Sequence, residues 1–359
     1  MWSARLLGPP LASIVAPVSA EETPSSALRR RRRRARVIAL TGVHGVAGAA
    51  LVRRFEADDR TQRLVLLDRR APALPLRKTV FAGIDLTATL ADVALAETLA
   101  RERVDVVIHA AFHDRPRRDL EAAHELEVLG TRALFRAVAE NVRREGTVQN
   151  VVVLGTTLAY GAFSDNPQYL DENAPLRGAS GYPFVADKIA VEAEVAALRA
   201  RTGLPVAMLR LAPTMGDERT WVAQLLASSF VPAVLGTDPL LQLLDLDDLV
   251  EVVRTAAHVR ADGAINVAGD GVLPLSTVIK LSGRLRAPLV ETALRIGLQS
   301  LWVVGAGLVP GAHAAYLRDT FVADTSRMVD VLGCRARYAI GDVLARHAGA
   351  RRGGFRRAA

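Results

Sequence analysis

Gly42, Gly45 and Gly48 stand at the spacing G-x-x-G-x-x-G within Thr41-Gly42-Val43-His44-Gly45-Val46-Ala47-Gly48. Glycines so placed do work that side chains would obstruct. The first permits a tight turn, the second lets backbone approach a pyrophosphate, and the third lets a helix pack closely on a strand. The amides opening that helix then offer N–H groups and positive potential to phosphate oxygens. Asp68 follows Gly48 by twenty residues. A carboxylate there accepts hydrogen bonds from an adenosine ribose diol, which points to NAD. Arg69 and Arg70 come next and supply the alternative, a grip on the 2′-phosphate of NADP. Three glycines alone carry little, and a strand-end aspartate can simply be solvated, so the flanking elements decide.

Those elements have the required pattern. Val37-Ile38-Ala39-Leu40 is a short apolar run ending at Thr41-Gly42, as a buried strand ends, and residues 45–57 read as a helix. Further strands are expected at 63–68, 79–82, 104–109, 150–155 and 205–211, with helices over 88–102, 118–143 and 184–202. Such alternation implies crossover connections and a parallel sheet covered on both faces. After 212 the alternation thins to helical segments near 219–229, 246–259, 275–286 and 289–304, and a strand near 263–267. The expected fold is α/β, a Rossmann-type doubly wound parallel sheet with a smaller C-terminal α/β substrate domain. The boundaries read as a disordered basic leader over 1–34, a dinucleotide-binding domain over 35–215, a substrate-side domain over 216–345 and a basic tail over 346–359.

Composition narrows the classes. The chain has 359 residues, of which 50% are hydrophobic and 23% charged, which excludes a disordered or collagen-like protein. Its net charge of +8 is local to the ends. Arg5, the arginines at 29–34 and 36, and four more at 351–357 account for it, leaving residues 37–350 with 34 basic and 36 acidic side chains. No specific nucleic-acid partner is expected of so neutral a body, and the tails leave contact with a membrane surface as the lesser alternative. One cysteine, Cys334, allows no intrachain disulfide and no cysteine-based zinc cluster. No metal site is expected. The leader imitates a signal peptide, but Gly8-Pro9-Pro10 interrupts its apolar stretch and the arginines follow, so a cytoplasmic location is expected. Ile296–Val309 is apolar yet too short to span a bilayer and reads as a buried helix, with lipid or partner docking second.

From about residue 36 to about 335 the chain resembles the extended short-chain dehydrogenase/reductases, which include nucleotide-sugar epimerases and dehydratases. Asp85-Leu86 is similar to the family's acid–leucine pair after the third strand, whose acid meets the adenine. His109-Ala110-Ala111 resembles the segment after the fourth strand where small residues admit the cofactor. Gly155 to Gly161, with Thr156 and Tyr160, resembles the segment after the fifth, and Arg210 to Gly216, with Pro213, the segment after the sixth. The resemblance implies an NAD(P)-binding enzyme with a small-molecule substrate, a nucleotide sugar among the candidates, and admits a homodimer.

It also implies a Ser/Thr, a tyrosine and a lysine four residues after the tyrosine. Thr156 and Lys188 fit, and Lys188 is one of only three lysines in a chain that otherwise uses arginine. The tyrosine position is Phe184, which has no proton to move. Tyr182 lies six residues before Lys188, about 600° of helical rotation, so it is off the lysine's face. Two further departures are Glu127 for the family's asparagine and Asp245 for a later histidine. His113, Tyr182 and, less directly, Asp114 and Tyr160 are the available substitutes. An epimerase-like oxidoreductase with an atypical proton relay is therefore one reading, and a non-catalytic dinucleotide-binding sensor or scaffold the other.

Overall fold

Strand β1 (Arg36–Thr41) is buried at every residue, as its unbroken apolar run requires of a central strand. The computed structural model describes residues 36–73 and 76–347; the leader expected over 1–34 and the tail beyond 347 lie outside them. Around β1 a seven-stranded parallel sheet forms in the order β11-β6-β5-β4-β1-β2-β3. Its other members are β2 (Thr61–Asp68), β3 (Thr79–Gly83), β4 (Val106–His109), β5 (Asn150–Thr156), β6 (Val206–Leu211) and β11 (Gly263–Val267). The chain runs outward from β1 to β3, then crosses back to β4 and runs outward the other way. That reversal opens a crevice at the carboxyl ends of β1 and β4, where ligands of such sheets bind.

Helices α1 (Val46–Ala57) and α7 (Leu246–Val259) cover one face, packing Leu51, Phe55, Val252 and Val253 against Ile38, Leu40 and Ile108. On the other face lie α2 (Ala91–Arg101), α4 (Gly130–Arg143) and α5 (Pro183–Thr202), with Leu95, Phe135, Val138 and Val195 over Val65, Val107 and Val153. A second core gathers Tyr160, Tyr182, Trp221, Val278, Tyr316 and Val343 into the smaller C-terminal lobe. That lobe includes α6 (Trp221–Ala227), β8 (Phe230–Val234), α8 (Leu275–Leu281), β13 (Leu285–Leu289), α9 (Glu291–Val303) and α10 (Ile340–His347). Three small two-stranded sheets accompany it: β7 (Thr214–Met215) on β10 (Leu244–Asp245), β9 (Leu240–Leu241) on β12 (Leu273–Pro274), and the longer β13 in parallel on β8.

The structure departs from the sequence reading in places, each with a physical cause. The stretch 246–267 returns to the sheet as α7 and β11, so residue 215 is no clean border. The helix expected over 275–286 stops at Leu281, because Gly283 takes φ +68 and Leu285–Leu289 then pairs with β8. The helix expected over 118–143 holds a π-helical turn, Glu125–Leu129, between α3 (Leu120–His124) and α4. Arg346 and His347, read as the start of a tail, end α10 and pair with Asp245 at 3.2 and 2.8 Å. The apolar segment 296–309 is not a buried helix. Its helical part ends at Val303, and within α9 only Leu294 is buried.

Candidate cofactor and catalytic site

The glycines earn their places by geometry. Gly42 has φ +70, a left-handed conformation, and a Cβ on it would lie 2.3 Å from the Ala110 carbonyl oxygen. A Cβ on Gly48 would lie 1.9 Å from the Gly42 oxygen, so α1 approaches the loop as closely as backbone allows. Gly45 is the N-cap of α1 and brings no side chain to close its first turn. Asp114 supplies one instead: its Oδ2 accepts from the Val46 amide at 3.2 Å. Burial pushes the Asp114 carboxyl above the usual carboxylate range, against the pull of Lys188 and Arg219.

Asp68, at the end of β2, braces the same loop. Its Oδ2 accepts from the Val43 amide at 3.0 Å and its Oδ1 from the Arg69 amide at 2.7 Å. The His44 ring meets the Arg70 carbonyl at 3.0 Å. Asp85 takes the Thr87 amide and hydroxyl at 3.0 and 2.8 Å and faces Arg69 at 3.6 Å. Against burial, which would raise it, these partners hold the Asp85 carboxyl below its ordinary value. Thr41 Oγ1 links the His109 ring at 2.8 Å to the Ala110 amide, fixing the small-residue turn of Ala110 and Ala111. Burial holds His109 neutral, at about 4. Gly42, His44, Gly45, Asp68, Arg69 and Asp85 together face a cleft of about 810 Å³, which Leu86, Ala110 and Ala111 also line.

Phe112, His113 and Asp114 form the wall between this cleft and a smaller pocket of about 50 Å³. There the structure brings together Thr156, Phe184, Lys188 and Pro213, contributed by β5, α5 and the turn after β6. Thr156 accepts the Leu158 amide on its Oγ1 at 3.2 Å. Lys188 extends its ammonium over the Phe112 and Phe184 rings, 4.6 and 5.0 Å from their centroids. It donates to Glu127 Oε2 at 2.5 Å and to the His113 carbonyl at 3.2 Å. Both side chains of this ion pair are almost fully buried, at 4% and 3% exposure. Glu127 Oε1 accepts from the His113 amide at 2.8 Å, so the pair also pins the wall between the pockets. Burial pushes the Glu127 carboxyl up, and the Lys188 charge opposes it.

The substitutes for a phenol fare unevenly. Tyr182 is not in the pocket; its hydroxyl meets His313 Nδ1 at 3.0 Å inside the second core, and burial raises it well above 10. Tyr160 bridges Asn266 and Arg210 at 2.7 and 2.8 Å, tying the turn after β5 to β6 and β11. His113 does line the pocket, but burial, then Lys188 and Arg117, hold it at about 4, where it offers neither an imidazolium acid nor a strong base at neutral pH. Asp245 caps α7 through the Asp247 amide at 2.8 Å and does not line the pocket. The partnership of Glu127 with Lys188 went unread in the sequence. Its one local signal was an acid where the resemblance leads to asparagine.

Comparison with known proteins agrees with this geometry. Residues 38–268 match the NAD dependent epimerase/dehydratase family. Uncharacterized proteins of Mycobacterium tuberculosis and Mycobacterium bovis are 30% identical over 257 residues, 70% of this chain and 67% of theirs. Among solved structures, the dTDP-glucose 4,6-dehydratase DesIV of Streptomyces venezuelae, with NAD and TYD bound, superposes with TM-score 0.68 at 18% identity, covering 89% of this chain and 97% of that one. UDP-glucose 4-epimerase of Thermotoga maritima, with UDP-glucose, gives 0.66 at 14% identity over 89% of this chain and all (100%) of that one.

Proposed function

The chain belongs to the NAD-dependent epimerase/dehydratase family, and from that membership we propose an NAD(P)-dependent oxidoreductase of the epimerase/dehydratase kind, acting at a hydroxyl- or keto-bearing carbon of a nucleotide sugar or related molecule. The observation that carries the reading is the loop at Gly42, Gly45 and Gly48, bare of side chains and opening α1 into the 810 Å³ cleft. The first-turn amides of α1 would hold the pyrophosphate, with Asp114 yielding the Val46 amide. Asp68 would hold the adenosine ribose and Asp85 the adenine side. When bound, the nicotinamide supplies a hydride acceptor. The chain's own part is to orient the reacting oxygen with Thr156, to set a positive charge beside it with Lys188, and to exclude water with Phe112 and Phe184.

Proton transfer is where this chain departs from the family's pattern. Phe184 occupies the place of the phenol, and Lys188 spends its charge on Glu127. Loss of a positioned acid–base group costs about 10²–10⁴ in rate. The same two features favour a second reading, a non-catalytic dinucleotide-binding sensor or scaffold. Single-turnover nicotinamide absorbance across a nucleotide-sugar panel separates them. The enzyme reading expects slow hydride transfer with one member of the panel, and silence throughout favours the sensor.

NAD is the expected cofactor, with NADP as runner-up through Arg69 and Arg70. Asp68→Ala removes a side-chain acceptor, and hydrogen bonds to carboxylates contribute about 1.5–3 kcal/mol. NAD affinity should therefore fall about tenfold or more in calorimetry, and NADP affinity less. The reverse order would assign the arginines to a 2′-phosphate.

A further inference from the structure

Helix α9 presents a face that a solvated helix does not. Toward the protein it turns Leu294 and Leu298, and outward it carries Thr292, Ala293, Ile296, Gly297, Ser300 and Val303, with the exposed Arg295 and Gln299 at their flank. Ile296 and Val303, seven residues apart and so on one face, are 65% and 71% exposed. Exposed helix faces ordinarily carry polar and charged residues. Exposed apolar side chains also stand on the neighbouring strands, where Phe230 and Leu285 are register partners, 63% and 61% exposed. Leu289 and Val290 extend the set toward α9.

Its charges are mostly positive. Between residues 280 and 304 stand Lys280, Arg284, Arg286 and Arg295 against one acid, Glu291. Glu291 is itself paired with Arg318 at 2.5 Å. Where the described chain ends, His347 lines a pocket of about 660 Å³ with Arg284, and four of the next twelve residues in the sequence are arginine. A second copy of this chain docked face to face would set these cations against one another. An anionic leaflet would match both the apolar face and the charge.

We propose that this face, α9 with the adjoining β8–β13 ribbon, rests on the surface of a bilayer that carries anionic lipid, with Ile296 and Val303 entering the headgroup–acyl boundary. The attachment is peripheral, since no helix among the described residues is long and apolar enough to cross a membrane. The end of the same helix borders the cofactor cleft, where Arg118 donates to the Trp302 and Gly307 carbonyls at 3.0 and 2.9 Å.

The full chain is tested by co-sedimentation with vesicles of phosphatidylcholine alone and of phosphatidylcholine mixed with phosphatidylglycerol. Wild type should partition to the mixed vesicles and far less to the neutral ones. Ile296→Glu with Val303→Glu should lower that partitioning by about tenfold or more. Replacing Arg351, Arg352, Arg356 and Arg357 by serine should leave a residue of binding that the double glutamate variant abolishes. Thermal melts check folding, and Ile296→Ser with Val303→Ser is read the same way should the glutamates disturb it. Equal partitioning of wild type and both double variants would overturn the proposal and assign any binding to the arginine tails. So would wild type that ignores both vesicles, or a wild-type dimer that the double variant converts to monomer in light scattering without lipid binding by either.

Discussion

Lys188→Met is expected to cost about 3–5 kcal/mol of folding stability, because removing one partner of a buried ion pair strands the other. Glu127 would be left almost fully buried, 2.5 Å from where its cation was. Its carboxyl, already pushed up by burial, would rise further without the ammonium. The sign of the pH effect follows. An acid whose folded value is raised above its unfolded one contributes its stability when protonated, and loses it as pH rises through the folded value. The variant's deficit should therefore shrink on acidification. Urea unfolding at neutral and mildly acidic pH reads this directly. Glu127→Gln combined with Lys188→Met should recover most of the loss, since burying a neutral amide beside an apolar chain costs less than burying a lone charge. A single variant as stable as wild type would mean that the pair is exposed to water in solution.

Phe184→Tyr is the second large effect, and it runs toward gain. The new hydroxyl would extend from a ring whose centroid is 5.0 Å from the Lys188 ammonium, in the pocket that Thr156 also lines. An adjacent cation favours phenolate, which is the form that accepts a substrate proton. Turnover should rise toward the 10²–10⁴-fold range assigned to a positioned acid–base group. The buried partner of Lys188 limits the gain, because Glu127 neutralises the charge that would tune the phenol. Phe184→Tyr with Glu127→Asn should therefore exceed Phe184→Tyr alone in single-turnover nicotinamide absorbance. His113→Ala and Tyr182→Phe should change little. Robust wild-type turnover that survives both of those removals, with no gain from Phe184→Tyr, would refute this assignment of the proton-transfer step.

The cofactor side of the site was legible because its signals are local. An apolar run ending at Thr41, glycines at fixed spacing and an acid at the end of the next strand are read within one stretch of chain, and β1, α1 and β2 lie where that reading puts them. The ion pair was not legible, since Glu127 and Lys188 are 61 residues apart and meet only when α5 packs beside the π-helical turn. Asp114 reaching back to the Val46 amide spans 68 residues and depends on β1 and β4 being neighbours, which the strand order alone decides. Hydropathy misled at α9, because apolar composition does not say which side chains the fold covers, and there it covers only Leu294 fully. The same limit hid the return of α7 and β11 to the sheet, as periodicity reports which face of an element is apolar but not which layer receives it.

A dinucleotide lying across the carboxyl ends of β1 and β4 is tested most directly by calorimetric titration of NAD into the wild-type chain and into Gly45→Leu. Gly45 has an ordinary backbone conformation, and a Cβ there would lie 3.3 Å from the Gly42 oxygen, so the fold can absorb a side chain at this position at modest cost. A pyrophosphate approaching the α1 amides cannot. Wild type should bind NAD saturably at one site, and the variant with an affinity lower by at least about tenfold, a loss of about 1.4 kcal/mol or more. Wild type that takes up neither NAD nor NADP, or a folded Gly45→Leu that binds NAD as wild type does, would contradict that placement.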